Sequence, residues 1–169
     1  ARIRTFLEEA NFAYTIGSVH YAGPYHVADP DSQLRTASDA ELREVIDVYV
    51  DWQIQLIESE LFDIIGHVDV VQRSEMLRGA MKADDYRWIA EALADSKTIP
   101  EINAGRLDRG YGTIHPHPEY LDIFFEEDIG FAIGTDAHAP DQLERRVELL
   151  CEHLDEEKVQ IVQPSEIIA

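Results

Sequence analysis

Asp136-Ala137-His138 sets a carboxylate and an imidazole one residue apart. On an extended segment two such side chains point the same way. Neighbouring divalent ions could each take one of them, through a carboxylate oxygen and an imidazole nitrogen. The competing reading is a capping aspartate followed by a solvent-facing histidine. His20 closes Gly17-Ser18-Val19-His20, and His67 sits in Gly66-His67-Val68-Asp69. Either histidine alone reads equally as a hydrogen-bonded structural residue. Glu101-Ile102-Asn103 alternates, so Glu101 and Asn103 share one side. There they could brace metal ligands or touch a substrate, or cap a strand end. Arg106 and Arg109 follow in a Gly-containing loop. A planar guanidinium matches phosphate oxygens; surface ion pairing is the plainer alternative. His26, His115 and His117 fall in loops on the same expected face, and His115-Pro116-His117-Pro118 could offer metal ligands but reads first as a lead into a helix with Pro118 at its first position. Cys151 and His153 read as structural residues of the last helix.

The elements that must carry these groups alternate along the chain. Residues 2–10 read as a helix, and 12–19 as a short apolar strand ending at His20. Residues 21–38 are rich in Pro, Asp, Ser and Gly, which is loop chemistry. Ser38 with Glu41 makes a capping box, opening a helix that runs to about Ser59. Strands are expected at 61–65, 97–102 and 130–134, with a further one at 159–162. Helices are expected at 84–95, 118–128 and 141–154. Strands alternating with helices imply parallel βα units. In such folds the site gathers at the C-terminal ends of the strands. His20, His67, Asn103, Asp136 and His138 would converge there from four strands, and that agreement carries more than any one motif.

Composition narrows the partners. The 169 residues fit one domain. Lys and Arg number 14 against 34 Asp and Glu, a formal charge of −20. A surface this acidic repels phosphate backbones, so nucleic acid is an improbable partner. One cysteine excludes an intrachain disulfide and a cysteine cluster. No apolar run approaches the ~20 residues of a membrane span, and no signal-peptide pattern opens the chain; a cytoplasmic location is expected. Only three of the 14 basic residues are lysine, Lys82, Lys97 and Lys158. Acidic excess with scarce lysine suggests adaptation to high salt.

The segments Gly17-Ser18-Val19-His20, Phe62-Asp63-Ile64-Ile65-Gly66-His67-Val68-Asp69, Pro100-Glu101-Ile102-Asn103 and Gly134-Thr135-Asp136-Ala137-His138 resemble, in order, later motifs of the PHP (polymerase and histidinol phosphatase) family, most nearly its histidinol-phosphatase branch. The resemblance runs from about Phe6 to Leu150. It implies an α/β fold, a distorted seven-stranded TIM-like βα barrel of which residues 1–169 hold only the later βα units. It also implies a single barrel domain incomplete at its N-terminus, because the family's opening His-x-His strand, a further histidine and a bridging glutamate have no counterpart before His20. By the resemblance His20, His67, Asp136 and His138 would bind divalent metals, two or three ions of zinc, manganese or iron. Arg106 or Arg109, with Asn103, would hold a substrate phosphate, and Glu101 would support the ligands.

The implied activity is metal-dependent hydrolysis of a small phosphate monoester, histidinol phosphate being the expected substrate. Two alternatives stand beside it: a phosphoesterase or exonuclease on nucleotides or nucleic-acid ends, and a non-catalytic barrel module. The charge makes an independent prediction. Screening its self-repulsion should raise the thermal unfolding midpoint between low and molar potassium chloride; a midpoint that falls over that range overturns the salt-adapted reading.

Overall fold

The computed structural model describes residues 2–28, 33–108, 111–157 and 159–167. Among the described residues, six α-helices and six strands follow in chain order. α1 (Arg2–Ala10) buries none of its residues. β1 (Ile16–Gly17) leads to a hairpin of β2 (Tyr21–Ala22) and β3 (Tyr25–His26), then to α2 (Asp39–Glu58). β4 (Ile64–Ile65) is followed by a 3₁₀ turn at Val70–Arg73 and by α3 (Ala83–Ala94). β5 (Ile99–Asn103), α4 (Leu121–Glu126), β6 (Ala132–Gly134), α5 (Pro140–Glu157) and the short α6 (Pro164–Ile167) complete the order.

The α/β expectation holds. β1, β4, β5 and β6 form one parallel sheet in that spatial order, with Ile16 beside Ile64, Ile64 beside Ile99, and Ile102 beside Ile133. The connections between these strands contain α2, α3 and α4, as parallel pairing requires. Beyond β6 a parallel bridge joins Phe131 to Ile161. The strand expected at 159–162 is therefore reduced to a single bridge at the sheet's edge.

Local chemistry explains the elements. The Ser38 hydroxyl accepts from the Glu41 N–H at 3.4 Å, and the Glu41 carboxylate accepts from the Ser38 N–H at 2.7 Å. This capping box starts α2, which buries Val45, Ile46, Tyr49, Val50, Gln53 and Ile57. Arg43 reaches from α2 to Asp85 of α3 with a two-pronged bond, 2.8 and 2.6 Å, the geometry in which a guanidinium best matches a carboxylate. The core lies under the sheet, built from Ile46, Tyr49 and Ile57 of α2, Tyr86 and Ile89 of α3, Phe124 of α4, Ile65 and Ile102 of the strands, and Phe131.

Further expectations change: the strands expected at 12–19 and 61–65 shorten to the two residues of β1 and the two of β4. The stretch 21–38 is not all loop: Gly23, at φ +58°, turns the chain so that Tyr21 pairs with His26. Strands of two residues carry no readable alternation, and the Gly-Pro pair masked them. The helix expected at 118–128 opens instead as a 3₁₀ turn at Pro118–Tyr120, because His117 caps it and Pro118 sits at its first position. Phe131→Ala, emptying a fully buried aromatic position, should cost about 3–5 kcal/mol, and Ser38→Ala about 1 kcal/mol. Denaturant unfolding measures both; equal losses would mean that burial and capping have been wrongly ranked.

Candidate active site

The C-terminal ends of the four parallel strands hold the residues expected of a site. His67 follows β4 and is buried, with its Nδ1 lacking any hydrogen-bond partner. Burial, then the nearby Arg73 charge, pushes its imidazole down to about 3. The ring is therefore neutral at pH 7 and has a lone pair to offer. The His20 ring lies 5.0 Å from it, edge-on, and stacks against His26 of β3 at 6.1 Å. Asp136 follows β6. Its Oδ2 is 3.1 Å from Arg73 Nη2, and its backbone carbonyl lies 2.8 Å from His138 Nδ1. Since a carbonyl only accepts, His138 Nδ1 donates, and Nε2 is the ring nitrogen left to face a ligand. His138 itself is 79% exposed.

Glu101 and Asn103 do share one side, and both are buried. Glu101 Oε2 accepts from the His67 N–H at 3.2 Å and from Asn103 Nδ2 at 2.8 Å. Burial raises its carboxyl above the usual range; these two donors act in the opposite direction. Asn103 Oδ1 accepts from the Gly105 N–H at 2.8 Å and from Arg73 Nη2 at 3.0 Å. Its polar atoms are thus engaged with Glu101, Gly105 and Arg73. Arg106 lines the cavity described below, and Arg109 lies outside the described residues.

Two glycines make this packing possible. A Cβ on Gly134 would overlap the Glu101 carboxylate, and one on Gly105 would overlap Asp136 and Asn103. His67 and Asp136 themselves lie at φ +29° and +50°. Side-chain-bearing residues in that region cost of order 1–3 kcal/mol each and collect at functional sites.

Sequence reasoning missed two arginines. Arg73 closes the 3₁₀ turn after β4 and reaches Asn103, Asp136 and His115. Arg146 of α5, buried, donates from Nη1 to the carbonyls of Thr135 at 3.1 Å and Asp136 at 2.7 Å, pinning the loop that aims Asp136. Neither has a local motif, although Arg73 stands six residues after His67 in a chain short of basic groups. His115, read as part of a loop, is buried and joined to this network through Arg73.

Two cavities of about 600 Å³ share Asp136. One is lined by His67, Glu101 and Asn103 together with the sheet's Ile16, Ile64 and Ile133. The other is lined by His20, His26, Arg73, Arg106, His138 and Arg146. Three arginines in one pocket of a chain with charge −20 make it a place for an anion.

The residues present fit part of a metal centre. An unpartnered buried nitrogen on His67, neighbouring His20, and the Asp136–His138 pair are the right donors. Among the described residues, however, no three His, Cys, Asp or Glu side chains come close enough to hold an ion by themselves. No helix there is long and apolar enough to cross a membrane.

No family model matches the chain. It is 27% identical over 136 residues to a probable histidinol-phosphatase of Deinococcus radiodurans, covering 77% of this chain and 49% of that protein. Its fold matches that of a histidinol phosphate phosphatase from Lactococcus lactis, solved with zinc, L-histidinol and phosphate. There the TM-score is 0.73 at 20% identity, over 95% of this chain and 62% of the other. The chain is similar to a histidinol-phosphatase in sequence and shares the fold of one. The likeness read from its four motifs is borne out, and the chain spans about half the length of the curated relative it matches.

Gly134→Ala tests the packing of this strand-end site. Crowding Glu101 should cost about 1–3 kcal/mol and shift the amide resonances of His67 and Asn103. Unmoved resonances would show that Glu101 does not brace them.

Proposed function

We propose that the strand-end cavity hydrolyses a small phosphate monoester with the help of divalent metal ions, histidinol phosphate being the substrate class that the likeness favours. The observation that carries this is the pocket where Arg73, Arg106 and Arg146 meet His20, Asp136 and His138 in an otherwise strongly acidic chain. The motif likeness and the relatives above support it.

The chain's own residues would divide the labour. His20, His67, Asp136 and His138 offer donors to the metals, with further ligands needed to complete each ion's shell. When bound, such ions supply an activated water near neutral pH and positive charge beside the phosphoryl oxygens. Arg73 and Arg106 hold those oxygens. Asn103 acts on the substrate through Arg73, which it orients. Glu101 holds the His67 backbone and Asn103 in register. Arg146 fixes the carbonyls at 135 and 136, so the Asp136 carboxylate is presented at a set angle.

The same reading extends to architecture and setting. The sequential order β1-β4-β5-β6 suits an arc of a closed βα barrel, in one domain. Ile16 and Ile133, 50% and 42% exposed and lining the first cavity, are apolar groups that a closed barrel would cover. A small ester in the cytoplasm suits the acidic surface better than a nucleic-acid end does.

The test is phosphate release from L-histidinol phosphate by the full-length protein supplied with zinc or manganese. Release should be abolished by a chelator and restored by added metal. Arg73→Ala should weaken substrate binding about 10–100-fold, the loss of a charge-assisted contact. A protein loaded with metal that releases no phosphate from histidinol phosphate or from other small monoesters would refute the proposal.

A further inference from the structure

Behind Arg73 lies a line of buried groups that metal binding does not require. Asp69, fully buried, accepts from three donors: His115 Nδ1 at 2.6 Å, the His117 N–H at 2.8 Å and the Tyr86 hydroxyl at 2.9 Å. On its other side the His115 ring meets Arg73 Nε at 3.0 Å through Nε2. A guanidinium N–H can only donate, so His115 Nε2 must hold a lone pair. The proton of the neutral ring then sits on Nδ1, facing an Asp69 that must accept it. One arrangement satisfies every partner: carboxylate, Nδ1–H imidazole, guanidinium.

The backbone builds this line deliberately. Asp69 precedes and Arg73 closes the single 3₁₀ turn after β4, so both ends of the turn enter the same network. His115 is set beside β5 by two backbone bonds with Asn103, 2.8 and 3.1 Å. The Tyr111 ring stacks on the His115 imidazole at 4.8 Å. With Nε given to His115, and Nη2 to Asn103 and Asp136, the guanidinium plane has no freedom to turn, and Nη1 is the nitrogen not committed to these partners.

We propose that Asp69 and His115 are positioning residues: Asp69 selects the Nδ1–H tautomer of His115, and His115 Nε2 orients Arg73 so that its free N–H groups face a phosphate in the cavity. This rests on the reading of Arg73 as a phosphate contact. Asp69 reaches Arg73 only through an uncharged ring, so the one carboxylate in direct contact with the guanidinium among these partners is Asp136.

The test uses the full-length protein and inorganic phosphate as probe. A ring ¹H–¹⁵N correlation at neutral pH should show His115 neutral with its proton on Nδ1. A ring protonated on Nε2, alone or with Nδ1, overturns the relay, and this measurement needs no variant. His115→Phe keeps the bulk but loses both bonds; calorimetry should show phosphate affinity falling about 10-fold or more, with metal content by elemental analysis unchanged. His115→Gln can accept from Arg73 and donate to Asp69, and should recover most of the loss. In turnover, KM should rise more than kcat falls. A His115→Phe protein that binds phosphate as the parent does sinks the relay even if the parent is an active phosphatase. A parent that binds phosphate with this variant pattern yet hydrolyses no ester sinks the proposed function and leaves the relay standing.

Discussion

Arg73 carries a full positive charge on a side chain only 9% exposed. Such a charge is tolerated where it is paired and every N–H pointed inward finds an acceptor. Its acceptors come from two strand ends and a loop: Asp136 after β6, Asn103 on β5, and His115 from the loop that runs back beside β5. Arg73 itself closes the turn after β4. The guanidinium therefore joins the ends of three neighbouring strands, and removing it would strip the Asp136 carboxylate of its guanidinium partner and leave His115 Nε2 unpaired. Most of what the site can do follows from this one buried cation and the partners that restrain it.

The space around it is as constrained as the charge. The Glu101 carboxylate lies where a side chain on Gly134 would be, and Asp136 approaches where one on Gly105 would be. Parallel strands paired in register bring these glycines against the carboxylates of their neighbours. His67 and Asp136 hold left-handed backbone conformations at the same place. A local rule of backbone preference is broken at both residues, and the surrounding bonds to Glu101 and Arg146 hold the broken conformations in place.

Electrostatics then separates surface from site. Twenty excess negative charges cover the chain, yet three of its eleven arginines line a single cavity. The acidic exterior discourages polyanions at long range. The pocket concentrates positive charge within reach of a small anion, where burial screens it least.

The sequence alone determined the alternation of strands and helices, the capping box at Ser38, and the strand-end positions of His20, His67, Glu101, Asn103, Asp136 and His138. These were legible because periodicity, caps and short polar strand ends are local. The hairpin at 21–26 was not, since two-residue strands leave no period to read. Nor were Arg73, His115, Asp69 and Arg146, which lie in a 3₁₀ turn, a loop and a helix with no shared motif. Asp69 and His115 are 46 residues apart, and what joins them is the pairing of β4 with β5 and of β5 with the loop beyond it. Only the tertiary structure could decide that these four residues act on one another, because a buried charge chooses its partners by distance in space, and that distance is set by strand register.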